Sequence, residues 1–194
     1  MKIKYTLAVV AAAALLTGCW QKSVYPFFKE KDVFFEEKFV GTWRESDKPN
    51  DEGSTWTISK GEQPKVYTIR IADKENKLDC DGRLFKIGET KFLDLHSRNR
   101  GIVDMPAHAL FRVQALEEAS FKVQMLNPDW MKNRLQLHPK EIANVFASDP
   151  EHPDDADKGE FILTADTDAI QKFVVTHLND DGFWNEGGEL KRQK

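Results

Sequence analysis

The chain has 194 residues, with 28 Lys and Arg against 32 Asp and Glu and 40% hydrophobic residues, enough for one ordinary globular domain with its own core. A net charge of −4 excludes the basic excess of a nucleic-acid binder, so no nucleic-acid partner is expected, and the 11% aromatic content excludes an intrinsically disordered chain. Two Cys exclude a disulfide-stapled scaffold, and neither has the spacing of a structural zinc site.

In chain order, Lys2 and Lys4 precede an uncharged run from Leu7 to Leu16, which ends in Leu16-Thr17-Gly18-Cys19. The run is too short to span a bilayer, which needs about 20 apolar residues. It reads as the core of a signal peptide over residues 1–18. Its last four residues resemble the bacterial lipobox, Leu-x-Gly/Ala-Cys, where small residues admit the lipoprotein signal peptidase. The resemblance implies that Cys19 becomes the mature N-terminus, thioether-linked to diacylglycerol and N-acylated, typically with palmitate, so that the membrane is a partner through these chains. Lipoproteins kept in the inner membrane commonly carry Asp after the lipidated Cys. Here Trp20 and Gln21 follow, which by the same resemblance implies the periplasmic face of the outer membrane, with the inner membrane as the alternative. Cys80 then has no intramolecular partner for a disulfide.

Residues 19–38 mix aromatics and charges without a period and read as a lipidated N-terminus and tether. Phe34, Phe35 and Phe39 are expected against the domain, and Trp20 and Tyr25 at the membrane interface. Short alternating runs follow at 39–44, 55–59, 66–72, 77–87, 92–96, 107–115 and 121–125, separated by turn residues such as Gly88-Glu89. In the fourth run Leu78, Cys80 and Leu84 share one face and Asp79, Asp81 and Arg83 the other, making Cys80 a small buried hydrophobe. After Met125 the period lengthens to that of a helix. Asn127-Pro128 is an N-cap followed by Pro at the first helical position, and Trp130, Met131 and Leu135 supply a stripe up to Pro139. A second short helix is expected over 140–146, a loop over 149–158 and a strand over 160–164. Asp166 caps a last helix with Ile170, Phe173, Val174, His177 and Leu178 on one face. Residues 185–194 read as a charged, frayed tail.

Phe39-Val40-Gly41-Thr42-Trp43 resembles the Gly-x-Trp signature of lipocalin-like barrels, in which Gly allows close approach at the barrel base and Trp plugs one end. The fold class is accordingly mainly β with C-terminal helices (α+β): an antiparallel meander curled into a lipocalin-like barrel, followed by two or three helical segments. Residues 39–184 form this single domain. The whole arrangement resembles lipoproteins of Gram-negative bacteria.

Candidate chemistry is sparse. His96, His108, His138, His152 and His177 are dispersed, without the spacing of a metal site, so neither a metal nor a cofactor is expected. His177, on the apolar face of the last helix, reads as a core or rim histidine. The acidic residues Asp149, Glu151, Asp154, Asp155 and Asp157 lack the ligand pattern of an EF-hand and read as a solvated loop. Asp94 and His96 share a strand face, an acid/base pair if they point into a cleft and surface salt-bridge residues otherwise. No Gly-x-Ser-x-Gly, P-loop or dinucleotide fingerprint occurs, so no catalytic residue is assigned and the chain reads as a non-enzyme. The expected function is a lipid-anchored envelope lipoprotein that binds a small apolar ligand or an envelope partner. The alternative is a structural subunit of an envelope assembly using a sheet edge or the helical cap, with a hydrolase-like enzyme least supported. Trp43, Trp56, Trp130 and Trp184 are the ligand or interface candidates. If side chains fill the barrel, the interaction surface moves outside, around Trp130, Phe183 and Trp184.

Overall fold

Alternation of apolar and polar side chains becomes a barrel in the computed structural model, which describes residues 20–46, 53–98, 107–148 and 159–193. Cys19 and the acidic residues 149–158 lie outside the described residues. The elements are β1 (Lys22–Ser23), β2 (Val33–Phe34), β3 (Gly41–Glu45), β4 (Thr55–Lys60), β5 (Tyr67–Ala72), β6 (Lys77–Ile87), β7 (Thr90–Ser97), β8 (His108–Gln114), β9 (Ser120–Met125), α1 (Pro128–Leu137), β10 (Asn144–Ala147), β11 (Glu160–Leu163), α2 (Thr167–His177) and β12 (Gly188–Arg192). Strands β3 to β9 pair antiparallel in chain order. β12 then pairs with both β9 and β3. The result is a closed, eight-stranded, lipocalin-like barrel whose last strand arrives only after both helices.

Inward positions fill the lumen. Trp43, Trp56, Tyr67, Ile69, Cys80, Leu84, Leu93, Phe111, Phe121 and Leu190 are all buried in one cluster. Phe121 meets Trp43 edge-on at 4.8 Å and Phe39 at 5.1 Å, while Phe111 meets Trp56 at 5.9 Å. An eight-stranded barrel is just wide enough to be filled by side chains or to hold one small ligand, and here aromatic rings fill it. Gly82 faces this lumen, where a Cβ would overlap the end of the Ile69 side chain.

The sheet forks at β8. Its Phe111–Gln114 half pairs with β9, whereas His108 and Ala109 pair with β1, which continues through β11 to β10. A second core fills the space between this side sheet, the two helices and the outer face of β6 to β8. It contains Phe27, Phe28, Phe85, Phe92, Leu110, Met131, Leu135, Ile170, Phe173, Val174 and Phe183. Asn127 caps α1 and Asp166 caps α2, each accepting a backbone N–H of the first turn.

Three segments, and Trp20 within one of them, depart from the pattern-based expectation. Residues 188–192 form the closing strand rather than a frayed tail, because Leu190 is wholly buried in the lumen while Glu189 and Lys191 alternate onto the other face. Residues 144–147 form strand β10 rather than helix, because β11 offers a full set of ladder bonds and the β-branched and aromatic pair Val145-Phe146 suits an edge strand. The tether is not free chain: β1 lies between β8 and β11, and Phe27, Phe28 and Val33 are buried in the second core. Trp20 packs edge-on against Phe111 at 5.3 Å, so the barrel takes this ring.

The Gly-x-Trp residues act through the closing strand. Arg192 lies opposite Trp43 in the ladder and sets its guanidinium 4.1 Å from the centre of the indole. It also donates from Nη1 to the Val40 carbonyl (2.9 Å), from Nη2 to Lys38 (2.6 Å) and from Nε to Glu118 (2.6 Å). Gly41 has φ +151°, and a Cβ there would overlap Arg192 Nη1. Trp43→Ala should cost about 3–5 kcal/mol, and Arg192→Ala should be coupled to it by more than about 0.5 kcal/mol in a double-mutant cycle read by chemical denaturation. Additive losses would show that the two residues stabilise the barrel separately.

Candidate functional site

With the lumen packed, accessible chemistry lies on the outer face of β6 to β9, where the helices and the 178–187 segment cross it. The four tryptophans singled out from sequence divide accordingly. Trp43 and Trp56 are buried in the lumen, at 0% and 1% exposure. Trp130 and Trp184 stand on the cap. Trp130 meets Phe183 edge-on at 4.8 Å and His177 at 5.1 Å. Trp184 lies over Phe92 at 6.0 Å and donates its indole N–H to the Leu178 carbonyl at 3.0 Å.

His177 is the polar centre of this cap. It is 4% exposed, with Nδ1 2.7 Å from Asp180 and Nε2 3.0 Å from Glu141. A neutral imidazole donates from one nitrogen, and only the protonated ring donates to both carboxylates. Glu141 also accepts two bonds from Arg134, at 2.6 and 2.7 Å. The Arg134 guanidinium is the main reason that the Glu141 carboxyl is held below its usual range, and His177 adds to the effect. This cluster ties the end of α1, the following turn and the end of α2 together.

A second polar cluster sits on β7 and β8. Asp94 is 1% exposed. It accepts the Phe27 backbone N–H at 2.9 Å and faces His108 Nδ1 at 2.7 Å. His96, expected beside Asp94, instead stacks on His108 at 4.6 Å between ring centres. Burial turns an apparent surface pair into a carboxylate that fastens the N-terminal segment to the barrel. Among the described residues no serine, threonine or cysteine hydroxyl or thiol is bonded to His108. Cys80 faces the lumen, where burial pushes its thiol up to about 12, far from a reactive thiolate. No group of three or more metal-ligating side chains occurs among the described residues.

An open pocket of about 400 Å³ lies where β8 and β9 meet the turn after α2, lined by Arg112, Gln124, Leu178, Asp180, Asp181 and Trp184. Sequence reasoning found Trp184 but not Arg112 and Gln124, which stand directly opposite each other only through the β8–β9 register. Their outward strand positions were the only signal available.

Comparison of the chain with models of protein families, with curated proteins and with solved structures finds no match in any of the three. No described helix is long and apolar enough to cross a membrane.

The lowered Glu141 carboxyl fixes the sign of one pH effect. A carboxyl whose folded value is depressed contributes stability that is present above its unfolded value, about 4.3, and is lost as pH falls through the folded value. Glu141→Gln should therefore reduce stability at pH 7 and flatten the acid limb of a stability–pH curve below about pH 4.3. An unchanged acid limb would show that the cap cluster contributes nothing to acid stability.

Proposed function

We propose that this chain is a lipid-anchored, non-catalytic envelope lipoprotein, held at the periplasmic face of the outer membrane through Cys19, that recognises an envelope protein with the outside of its barrel. The observation that carries the recognition part is the packed lumen: rings of Trp43, Trp56, Tyr67, Phe111 and Phe121 occupy the space in which a small apolar ligand would sit. Anchoring is supported by Leu16-Thr17-Gly18-Cys19 behind its charged and apolar leader. A non-catalytic role is supported by the Asp94–His108 pair, whose bonds among the described residues fasten the N-terminal segment to the barrel.

The outer surface offers apolar groups to a partner. Leu137 at the end of α1 is 77% exposed, and Val145 and Phe146 on β10 are 48% and 42% exposed. Among the described residues β10 is also the last strand of the side sheet, paired on one edge with β11. An edge strand with exposed side chains and no Lys or Pro is a surface on which another chain can pair. This surface serves a transient partner and a structural assembly alike.

Two measurements test the reading. Cys19→Ser should block processing and shift the protein out of the membrane fraction at its mature mass, whereas membrane fractionation of the variant at that mass would remove the anchor. Photo-crosslinking residues at positions 137 and 145 should trap a discrete envelope protein in cells, and the same residue at the exposed Lys74, in the β5–β6 turn, should not. Equal labelling at all three positions would refute the surface.

A further inference from the structure

The helical cap holds an arrangement that only one protonation state of His177 satisfies. The ring is almost wholly buried, and each of its nitrogens meets a carboxylate oxygen, Asp180 at Nδ1 (2.7 Å) and Glu141 at Nε2 (3.0 Å). A carboxylate only accepts hydrogen bonds, and a neutral imidazole has one N–H and one lone pair. The neutral ring would therefore set a lone pair against an anionic oxygen at hydrogen-bond distance. Glu141 does not relieve this by taking up a proton near neutral pH, because Arg134 holds its carboxyl below the usual range. The charged groups facing the ring are Glu141 from the turn after α1, Asp180 from the segment after α2 and, behind Glu141, Arg134 from α1. Trp130, Phe173 and Phe183 enclose the rest of it, and the same turn carries exposed His138 and Lys140. With His177 neutral, Arg134 stands against two anions; the imidazolium balances them.

We propose that His177 is an imidazolium that latches the cap, and that loss of its proton releases the turn over residues 138–143. An imidazole that gains anionic partners on folding contributes stability that is fully present below the ordinary imidazole range and is lost as pH rises past the point at which the folded ring gives up its proton. Glu141 sets the opposite limit, since its own contribution goes as pH falls below about 4.3. The latch is closed between these two titrations. The turn it holds runs directly into β10, whose first residue, Asn144, donates to the Pro139 and Ile142 carbonyls at 3.3 and 2.7 Å. Leu137 stands on the other side of the same turn. A partner that docks on Leu137 and β10 therefore meets a surface whose order depends on one proton, a consequence that rests on the envelope reading above.

The test is nitrogen NMR of the histidine rings of the full-length protein in detergent micelles, titrated from about pH 5 to about pH 9.5, well to either side of the ordinary imidazole range. Solvent exchange of the Glu141 amide, which donates to the His138 carbonyl at 3.0 Å, is followed in parallel. At about pH 7 both His177 nitrogens should show the shift of a protonated ring. As the ring turns neutral at higher pH, the Glu141 amide should exchange at least about tenfold faster than the base dependence of an unfolded chain accounts for. Asp180→Asn replaces an acceptor by a side chain that can donate to a bare Nδ1. In that variant His177 should give up its proton at least about one pH unit lower, and the Glu141 amide should stay protected after it does. A ring already neutral at about pH 7, an imidazolium that persists to about pH 9.5 or a Glu141 amide that ignores the ring's titration would each overturn the proposal. So would an Asp180→Asn protein that titrates and exchanges as the parent does. These readouts need neither partner nor membrane, so this proposal and the envelope reading fail independently.

Discussion

Arg192 joins three distant parts of the chain at one point. Its guanidinium lies on Trp43 and donates to carbonyls of Lys38, Val40 and Glu118, so the entry to β3, the β8–β9 connection and the last strand share one cation. Charge-assisted bonds to backbone carbonyls are among the stronger ones a fold can make, and the indole face beneath adds a cation–π contact. The bonds to Lys38 and Val40 span 154 and 152 residues. The barrel therefore cannot close until β12 is present, which places its final pairing late in folding.

Closure at one end leaves the sheet free to be used twice. β6, β7 and β8 bury Leu84, Leu93 and Phe111 inward and Phe85, Phe92 and Leu110 outward, so these strands are sandwiched between two cores. That is why Asp94, on a nominally outward position, is sequestered and bonded rather than solvated. It also explains why the polar chemistry of this chain collects at the margins of the second core, around His177, His108 and Arg112.

Local signals decided what could be read from the sequence. Period-2 alternation found the seven strands from β3 to β9, and capping residues Asn127 and Asp166 found both helices, because these features depend on neighbours a few residues away. β12 escaped because Leu190 is its single apolar side chain among Gly188, Glu189, Lys191 and Arg192, and its identity as a strand comes from two partners far away in the chain. β1, with two residues, and β10, with four, are strands only by virtue of β8 and β11. The same limit applies to the pocket. Trp184 stands out in sequence as an aromatic near a helix end, but Arg112 and Gln124 become a pair only when the register is known.

The packing of Trp20 gives the molecule a particular geometry at its start. Its ring rests on Phe111, Gln21 is buried with its amide bonded to the Phe161 carbonyl, and Lys22 already belongs to the sheet and pairs with Glu160. On the proposal that Cys19 carries the acyl chains, a single residue, reaching at most about 3.6 Å, separates lipid from folded protein. Such a molecule has no leash. On that proposal the protein would ride close to the leaflet with β1 nearest the lipid, at a height set by the body of the barrel and not by a length of tether.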